Sequence, residues 1–212
     1  MTGTMPLGAM ETSAVREMAN VGLGHAATAL AELTGRRIEM SVPDAESVPL
    51  EELPLLLGSE DLCVGVYMAV AGDVDAHVAF VLPWAGAQTL WTLLLGSAPD
   101  EPEGIDPLHA SVLCEVGNIV DGGFLSAISD MTGLSLTATP PHLCADMGIA
   151  VVGAIVCEVA GADSAALAVR TTIRAEGADL VGTFLFVPTV GGLRTLFDAL
   201  GLTEIGPPGA GV

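Results

Sequence analysis

Apolar residues recur every three or four positions through residues 15–33, with polar residues filling the opposite side. On a wheel of about 100° per residue, Val15, Met18, Ala19, Gly22, Ala26, Ala29, Leu30 and Leu33 gather together. Ser13, Glu17, Asn20 and Gly24 fall across from them, within about 60° of one another. The pattern predicts a long amphipathic helix that ends at Gly35, a residue suited to the left-handed turn after a helix. It returns further on. Leu113, Val116, Val120, Phe124, Ala127, Ile128 and Met131 form an apolar stripe, Ser111, Glu115, Asn118 and Gly122 stand opposite, and Gly133 closes the run. Asp106-Pro107 reads as the cap and first residue of this second helix. Strands are expected over 37–42, 62–70 and 75–82, with a hairpin at Gly72-Asp73, followed by a helix over 85–95. A short strand over 135–139, an apolar helix over 142–157, strands over 165–174 and 180–187, and a helix over 190–200 complete the prediction. Hairpins between helices imply the α+β class, an antiparallel β-sheet packed with long α-helices.

The two long helices belong to a repeat. Residues 13–43 align without gaps on 111–141, an offset of 98. Ser13, Glu17, Asn20, Gly24, Ala29, Thr34, Gly35 and Pro43 recur as Ser111, Glu115, Asn118, Gly122, Ala127, Thr132, Gly133 and Pro141. Two copies are too few for a solenoid, which needs three or more to build a continuous stack. A duplicated, pseudo-twofold single domain over 8–202 is expected, with repeats at about 8–96 and 106–201 and flexible ends at 1–7 and 206–212.

Composition narrows the classes. The chain has 212 residues, 51% hydrophobic and only 15% charged, so it has the material for a sizeable core. Its 26 acidic residues face six arginines and no lysine, for a net charge of −20. Such a surface repels nucleic-acid phosphates and anionic lipid. Cys63, Cys114, Cys144 and Cys157 lie in apolar runs without metal-ligand or disulfide spacing, and the four histidines are scattered. No basic segment followed by an apolar run opens the chain, and no apolar stretch reaches bilayer length, so a cytoplasmic location is expected.

What remains is the recurring polar face. Glutamate and asparagine three residues apart on a helix are neighbours, about 4.5 Å apart along the axis. The pair supplies an anion and an amide but no nucleophile and no adjacent base, so it is not a hydrolytic triad. It suits chemistry completed by a partner. A neutral carboxamide holds a water in line with a phosphorus atom without repelling the phosphoryl group, and a carboxylate pairs with a partner cation. Phosphoryl transfer asks for little beyond positioning and charge neutralisation. Gly24 and Gly122 each cost about 1 kcal/mol inside a helix. They either clear the surface for close approach or admit a neighbouring helix. Gly22-Leu23-Gly24-His25-Ala26-Ala27 matches a dinucleotide fingerprint, but that motif must follow a strand and open a helix.

On these residues the sequence resembles the CheC family of chemotaxis phosphatases. The family's pattern is Asp or Ser, three residues, Glu, two residues, Asn, and Pro after 22 more. Ser13, Glu17, Asn20 and Pro43 fit it, and so do Ser111, Glu115, Asn118 and Pro141. The resemblance implies hydrolysis of the aspartyl phosphate on the response regulator CheY, in signal termination or adaptation. It assigns each glutamate to the regulator's lysine and each asparagine to the attacking water. It implies Mg2+ on the regulator and no cofactor on this chain. It also implies docking of the deamidase CheD, with Asp146, on the helix expected from His142, as the candidate contact. Two alternatives stand beside it: a binding module that sequesters CheD or a regulator, and a flagellar-switch phosphatase of the FliY type.

Overall fold

A computed structural model describes residues 8–58, 60–158, 165–175 and 178–202. The two long helices have identical lengths and positions within the repeat: α1 spans Ala9–Thr34 and α4 spans Pro107–Thr132, 26 residues each. Both stop for one reason. Gly35 and Gly133 take the left-handed conformation, with φ of 65° and 75°, that a side chain resists. Just before each glycine, the hydroxyl of Thr34 or Thr132 donates to the carbonyl one turn back, Leu30 or Ile128. Their starts differ. Asp106 caps α4 by accepting from the His109 backbone at 2.8 Å, whereas Gly8 precedes α1 and donates its own N–H to Glu11.

Between and after them come β1 (Ile38–Pro49), the short α2 (Leu53–Leu57), β2 (Leu62–Gly72), β3 (Ala76–Pro83) and α3 (Trp84–Leu95). The second half supplies β4 (Leu136–Ala138), β5 (His142–Met147), α5 (Gly148–Glu158), β6 (Ala165–Ala175), β7 (Ala178–Pro188) and α6 (Val190–Ala199). All pairings in the seven-stranded sheet are antiparallel, in the order β1-β6-β7-β3-β2-β4, with β5 also on β2. The order is palindromic. β3 pairs with its counterpart β7 at the centre, and each half lays its first strand along the other half's second strand.

The side-chain alternation of the strands splits the core in two. Val64, Val66 and Met68 of β2, Val78 and Phe80 of β3, and Phe184 and Phe186 of β7 face one cluster with the buried stripes of α1 and α4. Cys63, Ala79, Val81, Leu185 and Val187 face the other, beneath Leu53 of α2 and Val151, Val152 and Ile155 of α5. The helices therefore lie on both faces of the sheet, with the repeated pair together on one.

Glycine lets that pair touch. A Cβ on Gly22 would meet the Phe124 backbone at 2.6 Å, and one on Gly123 would come against the Gly22 carbonyl at 2.5 Å. Gly117 leaves the room occupied by Val66, so α4 can settle on β2.

Besides α2, which no pattern announced, two elements depart from expectation. Residues 142–147, expected as the start of a helix, are strand β5, and the helix begins only at Gly148. The strand β1 runs on to Pro49 instead of stopping at residue 42. These are the same departure in the two halves, because the segment after Pro43 corresponds to β5 after Pro141. In β1 the register shifts between Ser41 and Asp44, a bulge that accommodates a proline lacking an N–H. In the second half the pair Pro140-Pro141 separates β4 from β5 outright.

Candidate active site

Every polar residue of the repeated Ser–Glu–Asn face is at the surface. Ser13, Glu17, Asn20 and Gly24 on α1 are exposed, as are Ser111, Glu115 and Asn118 on α4. The apolar side of each helix is spent on the core: Val15, Met18, Ala19, Leu23, Ala26 and Leu30 in α1, Leu113, Val116, Val120, Phe124 and Ile128 in α4. The structure thus offers two open glutamate–asparagine faces on one rigid pair of helices. Leu33 and Met131, assigned to the apolar stripes, overhang the core and are solvated. Pro43 sits at the β1 bulge, with its side chain outside the described residues. Pro141 is half-buried between β4 and β5.

The choice between two roles for the recurring glycines is decided by their surroundings. A Cβ on Gly24 or Gly122 would have nothing within 4 Å, so neither admits a neighbouring helix. Gly22 and Gly123 do that. Gly24→Ala and Gly122→Ala should therefore stabilise the free chain by about 0.5 to 1 kcal/mol each. Gly22→Ala or Gly123→Ala should cost about 1 to 3 kcal/mol through backbone collision. Urea unfolding of the four variants checks this; destabilisation by Gly24→Ala would show that its neighbourhood is not open. The fingerprint from Gly22 to Ala27 lies wholly inside α1, with no strand before it among the described residues, so it forms no phosphate loop.

Asp146 lies on β5, not on a helix as expected. It is paired in register with Cys63, is exposed, and its Oδ1 accepts from the Met147 backbone at 2.7 Å. Cys63 is buried and Cys114 and Cys144 half-buried, all as free thiols. Burial, reinforced by Cys144, Asp146 and Asp61, pushes the Cys63 thiol up to about 11. Among the described residues no group of three His, Cys, Asp or Glu gathers as a metal site would require.

One residue escaped the sequence reading. Asp121 of α4 is 0% exposed, and neither carboxylate oxygen has a hydrogen-bond partner. Burial pushes its pKa well above the usual carboxylate range. The signal was available in the repeat, which places Leu23 at the matching position of the first copy.

The model of the CheC-like family matches residues 10–47 and 108–143, the two site helices with the segments that follow them. The CheY-P phosphatase CheC of Bacillus subtilis is 33% identical over 193 residues, covering 88% of this chain and 92% of that one. The chain belongs to the CheC-like family. A putative CheY-P phosphatase, CheC1 of Halobacterium salinarum, is 25% identical across 61% of this chain and 66% of its own length. Among solved structures, Thermotoga maritima FliY superposes with a TM-score of 0.75 at 18% identity, covering 94% of this chain and all of that one. The FliM middle domain of H. pylori reaches 0.66 at 10% identity, over 91% of this chain and 99% of its own. At such identities these two share the fold alone, and fold does not choose among functions.

Proposed function

We propose that this CheC-like chain hydrolyses the aspartyl phosphate of a CheY-type response regulator, terminating a chemotactic signal, with one site on each of α1 and α4. The observation that carries this reading is the pair of outward-facing Glu–Asn faces on the helices where the family match falls. Similarity to the Bacillus relative over nearly its whole length supports it.

The division of labour follows from the side chains. Glu17 or Glu115 pairs with a cation of the docked regulator and fixes its register. Asn20 or Asn118 enters the regulator's phosphorylation site, where its carboxamide oxygen accepts a hydrogen bond from water and aims the water's lone pair at phosphorus. The new P–O bond forms as the bond to the aspartate oxygen breaks. The aspartate leaves as a carboxylate with its electron pair, and inorganic phosphate departs with the two protons of the attacking water. Gly24 and Gly122, one turn on, keep the surface low. The regulator supplies Mg2+, which neutralises charge on the phosphoryl oxygens; this chain contributes no cofactor.

The experiment is the decay of phosphorylated CheY with and without this chain, in Mg2+ and then in excess EDTA. Decay should accelerate at least tenfold in Mg2+ and lose that acceleration in EDTA. Decay unaffected by the chain would sink the reading, and acceleration surviving EDTA would sink the assignment of the metal.

The same reading assigns to Asp146 a contact with the deamidase CheD. Its support is an exposed acid beside the solvated side chains of Met147 and Ile149, where β5 turns into α5. A cytoplasmic location fits a partner of that kind.

A further inference from the structure

The polar faces of α1 and α4 each carry one large apolar residue, in the same place. Met10 is 70% exposed and Leu108 is 58% exposed, and the repeat offset carries one onto the other. Both are in the first turn of their helix, three residues before the repeated serine and seven before the glutamate. On the wheel they lie roughly 160° from the middle of the core stripe, and only about 50° from the middle of the Ser–Glu–Asn–Gly face. A single exposed hydrophobe needs no explanation. Leu33 and Met131, the other pair of exposed apolar counterparts, merely prolong the buried stripe beyond the core. Met10 and Leu108 prolong nothing. They are apolar side chains set into a polar face, in both copies.

We propose that Met10 and Leu108 are the docking anchors of the two sites, each seating in an apolar depression of the response regulator beside its phosphorylated aspartate. The inference rests on the phosphatase reading above. Electrostatics gives the reason. A phosphoryl group approaching a chain of net charge −20 gains nothing from long-range attraction. Helix α4 contains no lysine or arginine, and its face offers a carboxylate, an amide and small groups. Beyond the pairing of the glutamate with a partner cation, affinity must come from short-range burial, and Leu108 is the one large exposed apolar side chain on that face. Its distance from Glu115, about 10 Å along the axis, puts it at the rim of the reacting site. From there it adds to affinity and not to the chemical step.

The test is steady-state dephosphorylation of CheY phosphorylated with acetyl phosphate, comparing wild type with the double variant Met10→Gln, Leu108→Gln. Glutamine matches the helix propensity of both residues closely, and both side chains are solvated, so the fold is retained. KM should rise roughly tenfold while kcat stays within twofold. Leu55→Gln, equally solvated at 77% exposure but on α2 across the sheet, should leave KM within twofold. An unchanged KM in the double variant, an equal rise in Leu55→Gln, or a fall in kcat with KM unchanged would each overturn the anchor. Wild type without activity would overturn the phosphatase reading and the anchor with it; an active wild type with an unmoved KM overturns the anchor alone.

Discussion

Replacing Asn20 and Asn118 together with alanine should lower the rate of CheY dephosphorylation by about 10²- to 10³-fold, the usual cost of removing one preorganised polar group from a reacting site. Affinity for the regulator should stay within a few-fold. Both residues are exposed, so the substitutions leave the core intact and the loss falls on the chemical step. The single variants divide the effect. If the faces are equivalent, each retains about half the wild-type rate at saturation, because the untouched helix still turns over. Glu17→Ala with Glu115→Ala should act differently, raising KM more than it lowers kcat, since the carboxylate sets register. Single-turnover decay together with a titration of CheY binding separates these outcomes. Dephosphorylation that persists in the double asparagine variant would remove the water-positioning role.

A second large effect concerns stability. Asp121 is sealed in the core without a hydrogen bond, so the folded chain holds it protonated well above the pH at which the unfolded chain ionises it. Unfolded, the carboxyl titrates near pH ~4. From there up to its raised folded value the native state binds the extra proton. Stability is therefore greatest at the acidic side of this window and declines as pH rises through it, by about 1.4 kcal/mol per pH unit. The net charge of −20 pushes in the same direction through repulsion, so the informative quantity is the difference between wild type and Asp121→Asn. That variant should lose the Asp121 share of the slope between pH 5 and 8. Asp121→Leu, which copies the residue at the matching position of the first repeat, should raise stability at pH 7 by about 2 to 4 kcal/mol. Urea melts across that pH range provide the measurement. Equal slopes for wild type and Asp121→Asn would show that the buried carboxyl is not protonated in the native state.

Much of this was legible in the residue pattern, and the parts that were not share a physical cause. The 26-residue helices, their glycine stops and the orientation of Glu17, Asn20, Glu115 and Asn118 follow from local rules: a 3.6-residue period and a left-handed glycine. Strands that read as apolar runs bounded by turn residues, such as β3 and β7, follow as well. Strand β5 does not. His142 to Met147 lacks a clean alternation and runs directly into the apolar sequence of α5, so the two read as one helix. Its extended state is imposed by pairing with β2, a contact distant in sequence. The end of β1 failed for the opposite reason. Pro43 looks like a terminator, yet the bulge there absorbs it and Ala45 and Val48 go on to bury. Helix α2, five residues long, is held by packing alone. At the site, the open surroundings of Gly24 and Gly122 and the tight ones of Gly22 and Gly123 are indistinguishable in a string of letters, because the difference is which helix lies alongside.

The palindromic strand order constrains how such a molecule is assembled. A polypeptide consisting of either half alone would leave its second strand bare along one edge and its first strand with nothing to lie against, since each finds its neighbour across the repeat boundary. Separately expressed halves should be insoluble or unfolded, yet co-expressed halves have every hydrogen-bonded neighbour they need. Within one chain the two helices need not match, and Leu23 against Asp121 is where their buried faces differ in kind.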